Sequence, residues 1–132
     1  MKIDWDKWQG IELAQNRYLK DVDYTRERLD IAQGNLRNCE VALTKTVQSS
    51  GLFRRVDLGA WMREAKADPV KVMAAHRDHP VYSILSQFHQ AQTAKQKAAE
   101  AHQQAESALR AHSGAYHQLR NWIAEQTARG LI

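Results

Sequence analysis

Histidine is the side chain best suited to proton or metal chemistry near neutral pH, and this sequence has six. His76 and His79 stand three apart around Asp78, with His89 further on. Two histidines at that spacing can share one face of a helical turn, as zinc ligands do. Pro80 follows them directly, however, Cys39 is remote, and no second Cys/His or acidic pair completes a coordination geometry. The pattern therefore predicts surface histidines at a helix end, where positive charge complements the dipole, and no metal. His102 and His112 fall on or beside an apolar helix face, which predicts buried, hydrogen-bonded polar residues that mark helix register. His89 and His117 have no recognisable partners.

Other catalytic patterns are missing. There is no glycine-rich phosphate loop, no nucleophile elbow and no H-E-x-x-H pair. Acids such as Asp21, Asp23, Glu27 and Asp30 sit at spacings typical of a solvated helix surface. Cys39 is the single cysteine, so no intrachain disulfide can form, and its place among apolar positions predicts a small buried side chain. The expectation is a protein that is not an enzyme and that needs no cofactor.

The strongest contact signal lies between residues 52 and 79. Arg54, Arg55, Arg63, Lys66, Lys71 and Arg77 alternate there with Phe53 and Trp61. Such a patch can neutralise phosphates and stack on bases, or anchor on an acidic protein surface through Trp and Arg. Asp57, Glu64, Asp68 and Asp78 dilute the positive field, which favours a protein partner. The same Phe53 and Trp61 also suit the core of a small helical knob.

These groups must be positioned by helices. From Trp8, alternating steps of three and four reach Ile11, Gln15, Tyr18, Val22, Thr25, Leu29, Ala32, Leu36, Cys39, Leu43 and Thr46. Nine of these twelve positions are apolar, counting Tyr18, Ala32 and Cys39. That spacing predicts one long helix over about residues 5–48, packed side by side against another helix. It would be roughly 60 Å long at about 1.5 Å per residue. Asp4 or Asp6 suits its N-cap, and Ser49-Ser50-Gly51 ends it. Gly34 falls on the outer face, away from the seam.

Short helices are predicted in the connector, one capped by Asp57 and burying Leu58, Trp61, Met62 and Ala65. A second is announced by Asp68-Pro69, an N-cap followed by proline at the first helical position. It runs to about Arg77 and offers Val70, Val72, Met73 and Ala74. Pro80 is expected in the first turn of a last helix over about residues 81–129, closed by Gly130 as C-cap glycine. Its seam is expected along Ala91, Ala94, Ala98, Ala101, Ala105, Ala108, His112, Ala115, Leu119 and Trp122. Phe88, Leu109, Tyr116 and Ile123 flank it, and Glu106–Arg110 forms an i,i+4 pair. This alanine ridge would let the large residues of the first helix approach closely.

The fold expected is all-α: a single helical domain, a long antiparallel coiled-coil hairpin with a small helical connector knob. An aromatic cluster of Trp5, Trp8, Tyr18, Tyr116 and Trp122 is expected where the chain ends meet. Leu13, Tyr24, Ile31 and Val41 lie off the seam of the first helix and predict a second contact face, a route to a homodimer.

Composition sets the outer limits. With 132 residues, 43% of them hydrophobic and 26% charged, the chain can bury a core and is not a disordered tail. It has no apolar run of membrane-spanning length, and charged residues at its N-terminus do not fit a signal peptide. A cytoplasmic, reducing location without membrane attachment is expected. Residues 51–80 carry six basic and four acidic side chains, and the overall net charge is +4. This mild bias permits nucleic-acid contact without requiring it. The leading expectation is a non-enzymatic adaptor or regulator of a larger protein; the alternative is a nucleic-acid-binding accessory protein.

Overall fold

The computed structural model describes the backbone of residues 2–50 and 55–132, and the side chains of residues 2–49 and 58–132. Four helices follow one another: α1 (Trp5–Ser50), α2 (Arg55–Ala67), α3 (Pro69–Ala75) and α4 (Val81–Ala128). No strand occurs among the described residues. The chain divides into two compact units, one of Met1–Arg28 with Ala99–Ile132, the other of Leu29–Ala98.

The helix ends follow from local hydrogen-bond chemistry. Asp4 caps α1, its carboxylate accepting from the Lys7 amide at 3.1 Å and its carbonyl from Trp8 at 3.0 Å. Asp68 caps α3 by accepting from the Lys71 amide at 3.2 Å, with Pro69 at the first helical position. At the end of α4, Gly130 adopts a left-handed φ of 72°. Its amide donates to Thr127 at 3.0 Å, and that of Leu131 donates to Gln126 at 3.0 Å, the two bonds of a Schellman cap. Two expectations need correction. Asp57 is not the cap of α2, which already begins at Arg55; and α4 starts at Val81, so Pro80 precedes it. Two residues before the helix, His79 Nδ1 accepts from the Val81 amide at 3.1 Å and satisfies that first helical donor.

In the unit Leu29–Ala98, α1 and α4 close on the short helices. Leu43 and Val47 of α1, Trp61 and Ala65 of α2, Val72 of α3, and Val81, Leu85 and Phe88 of α4 form one buried cluster. Leu36, Cys39, Leu58, Met62, Met73 and Ile84 pack against it. The expected apolar face of α2 is therefore the one that is buried. On α3 only part of it is: Val72 and Pro69 are buried, whereas Val70 and Ala74 are exposed. A seven-residue helix can turn only one side inward, and Val72 and Pro69 occupy it.

In the unit Met1–Arg28 with Ala99–Ile132, the two helix segments pair along their lengths. Trp8 stacks on Tyr116 with ring centroids 5.6 Å apart, Gln15 meets Ser113, and Thr25 meets His102. As numbers rise on α1 they fall on α4, so the segments run in opposite directions. All twelve seam positions of α1 are buried or half-buried.

The register of α4 differs from the expected one. Its covered positions are Phe88, Ala91, Lys95, Ala98, His102, Ala105, Leu109, His112, Tyr116, Leu119, Ile123 and Gln126, each buried or half-buried. Ala94, Ala101, Ala115 and Trp122 are exposed instead. Both series step by three and four and share every second position; they differ in which step comes first. Burying Leu109, Tyr116 and Ile123 removes more apolar area than burying alanines would, and that decides the phase. Glu106 accordingly turns to His102, their atoms 2.5 Å apart. Trp5 is also exposed, so the expected aromatic cluster reduces to Trp8, Tyr18 and Tyr116.

Candidate functional site

The histidines expected to mark register occupy polar layers between the two helix segments of the Met1–Arg28 and Ala99–Ile132 unit. His112 Nδ1 lies 2.7 Å from Gln15 Oε1. Because an amide oxygen only accepts, this nitrogen carries the proton. Gln15 Nε2 donates to Ser113 Oγ at 3.0 Å, and Tyr18 packs on the His112 ring at a centroid distance of 4.9 Å. Gln15 is buried, so the network satisfies a polar group that water cannot reach.

The second layer joins Thr25, His102 and Glu106. Thr25 Oγ1 lies 2.9 Å from His102 Nδ1 and within reach of the carbonyls of Asp21 and Val22 at 2.9 and 3.1 Å. His102 Nε2 faces the Glu106 carboxylate. A carboxylate only accepts, so Nε2 bears a proton. Each imidazole is held at Nδ1 by a seam residue of α1. These groups, with Ser113 and Tyr18 beside them, join one helix segment to the other.

His76 and His79 come close, with ring centroids 6.4 Å apart, and one nitrogen of each accepts a hydrogen bond. Trp61 Nε1–H donates to His76 Nε2 at 3.4 Å, and the Val81 amide donates to His79 Nδ1. Among the described residues, no group of three or more His, Cys, Asp or Glu side chains is placed to hold a metal ion. His89 is half-buried and His117 exposed.

The basic connector separates into different roles. Phe53 and the side chains of Arg54 and Arg55 lie outside the described residues. Trp61 is buried in the core cluster and presents no open ring face for stacking. Lys66 pairs with Glu40 of α1 at 2.5 Å, and its carbonyl accepts from Gln92 of α4 at 3.1 Å. Lys71 lies 3.6 Å from Glu64. These residues tie α2 to its neighbours on both sides. Arg63 and Arg77 are exposed.

Large apolar side chains do stand uncovered on α1. Leu13 and Tyr24 in one unit, and Ile31 and Val41 in the other, expose 58%, 57%, 49% and 53% of their surface. Tyr24 is pre-shaped by its neighbour. Arg28 Nε donates to the Tyr24 hydroxyl at 3.0 Å, with its guanidinium 5.2 Å from the ring centre. That hydrogen bond holds the Arg28 guanidinium above its ordinary pKa. Leu19 is exposed as well, and so is Val70, which was expected among the buried residues of α3.

Among the described residues, no helix is long and apolar enough to cross a membrane. Comparison with protein-family models, with curated proteins and with solved structures returned no match to this chain.

Proposed function

We propose that this chain is a non-enzymatic protein-binding module, an adaptor or regulator of a larger protein, that self-associates through the outer side of α1. In this reading α1 and α4 form an antiparallel coiled coil, with α2 and α3 as a small connector, in a reducing cytoplasm that suits the lone Cys39. The observation that carries it is the exposure of Leu13, Tyr24, Ile31 and Val41. Leu13 and Tyr24 in one unit, and Ile31 and Val41 in the other, are each spaced by alternating steps of three and four along α1, the spacing of a helix-packing seam. Uncovered apolar side chains in such a pattern favour a contact with another chain. The nucleic-acid reading is less well supported, because the buried Trp61 and the paired Lys66 and Lys71 remove much of its stacking and charge.

Sedimentation equilibrium tests the proposal directly. The expected result is a mass near twice 15.1 kDa that returns to the single-chain value in the Tyr24→Glu/Ile31→Glu variant, with helicity by circular dichroism unchanged. A single-chain mass for the unmodified protein at high concentration would refute self-association. Capture of nucleic acid at low salt, lost on Arg63→Ala/Arg77→Ala, would favour the alternative.

A further inference from the structure

The apolar core is divided very unevenly between the two units. In Leu29–Ala98 it is a continuous cluster that includes Leu43, Trp61, Leu85 and Phe88. In Met1–Arg28 with Ala99–Ile132, the buried hydrophobic side chains among the described residues are Val22 and Ile123, and they share the interior with buried Gln15 and Gln126. Much of what joins the helix segments there is hydrogen bonding and ring stacking: Gln15 with His112 and Ser113, Thr25 with His102, and Trp8 on Tyr116.

We propose that this two-helix unit is a clasp, which opens locally and reversibly while the Leu29–Ala98 unit stays folded. The free energy of a local opening follows the apolar contacts it breaks. Hydrogen bonds of a polar layer are largely exchanged for bonds to water when the segments part. A polar layer in a coiled-coil seam thus specifies register at the expense of holding strength. Once parted, each segment loses the packing that supplies most of a protein helix's stability, so opening is cooperative within the unit. The open state uncovers Trp8, Tyr18 and Tyr116, aromatic side chains that the closed pair keeps from other helices.

Native-state hydrogen exchange of the whole chain, followed by NMR or mass spectrometry across a range of low denaturant concentrations, tests the clasp. Amides of residues 11–28 and 102–123 are expected to exchange on the order of 100-fold faster than those of residues 39–47 and 84–90, through an opening with a smaller denaturant dependence. A single exchange isotherm, with equal protection in both sets, would overturn the proposal. The variant Gln15→Leu/His112→Leu makes one polar layer apolar and is expected to slow exchange at least about tenfold in the first set while leaving the second unchanged. Equal slowing in both sets, or none, would count against it. Trp8→Ala, which removes the stack on Tyr116 without adding bulk, gives the reverse expectation: faster exchange confined to the first set. Acceleration spread over both sets would mean that the chain opens as one body.

Discussion

A single substitution, glycine to alanine, should have opposite signs at different places in this chain. Gly10 and Gly34 lie inside α1 and Gly114 inside α4. A Cβ built at any of the three meets nothing within 4 Å, so alanine adds no clash. The gain comes from the unfolded chain, which has less backbone freedom to lose with alanine, and from alanine's higher helix propensity. The difference is about 1 kcal/mol per site in a helix interior. Gly10→Ala and Gly34→Ala share no neighbour, and their effects should add to about 2 kcal/mol. For a chain of this length that raises the melting temperature by roughly 5–10 °C. Gly130→Ala should do the opposite. Its φ of 72° is left-handed, a conformation that costs a residue with a Cβ about 1 kcal/mol or more. Urea unfolding followed by far-ultraviolet circular dichroism gives the comparison, with the midpoint shift read at constant slope. Stability lost at Gly34→Ala would refute the reasoning, because it would mean that this position needs a close approach or a non-helical backbone. A rise at Gly130→Ala would refute the capping argument in the same way.

The remaining expectations concern the core, a cap and an ion pair. Phe88 is 1% exposed at the centre of the buried cluster, so Phe88→Ala should cost about 3–5 kcal/mol; a loss below about 1 kcal/mol in urea titration would show that the cluster is not packed as described. Asp68→Ala removes the acceptor for the Lys71 amide and should cost about 1 kcal/mol, most of which Asp68→Asn should restore, with thermal melting as the readout. Glu40→Gln breaks an ion pair whose two side chains are both about 40% exposed or more; its effect should stay under about 1 kcal/mol and vanish in molar salt. A larger, salt-independent loss would show that Lys66 depends on that partner for more than charge.

The helices, and one face of α1, are legible from local residue pattern. Apolar residues three and four apart on α1 mark its buried seam because a helix repeats every 3.6 residues, and this is true whatever the partner. Asp4, Asp68-Pro69 and Gly130 announce helix ends because capping is a matter of local backbone geometry. Long-range contacts set what local pattern leaves open. On α4, alanine fits either of two overlapping three-four series, so local pattern left the phase open. Contact with α1 resolved it: Leu109, Tyr116 and Ile123 turn inward, and Ala94, Ala101 and Ala115 outward. His102 is tolerated on the buried series because Thr25, 77 positions earlier in the chain, stands opposite it, a pairing that no local window contains. The same holds for the connector. Trp61 and Lys66 read equally as a surface patch or a core, until Phe88 and Glu40 arrive from distant parts of the chain to bury the one and neutralise the other.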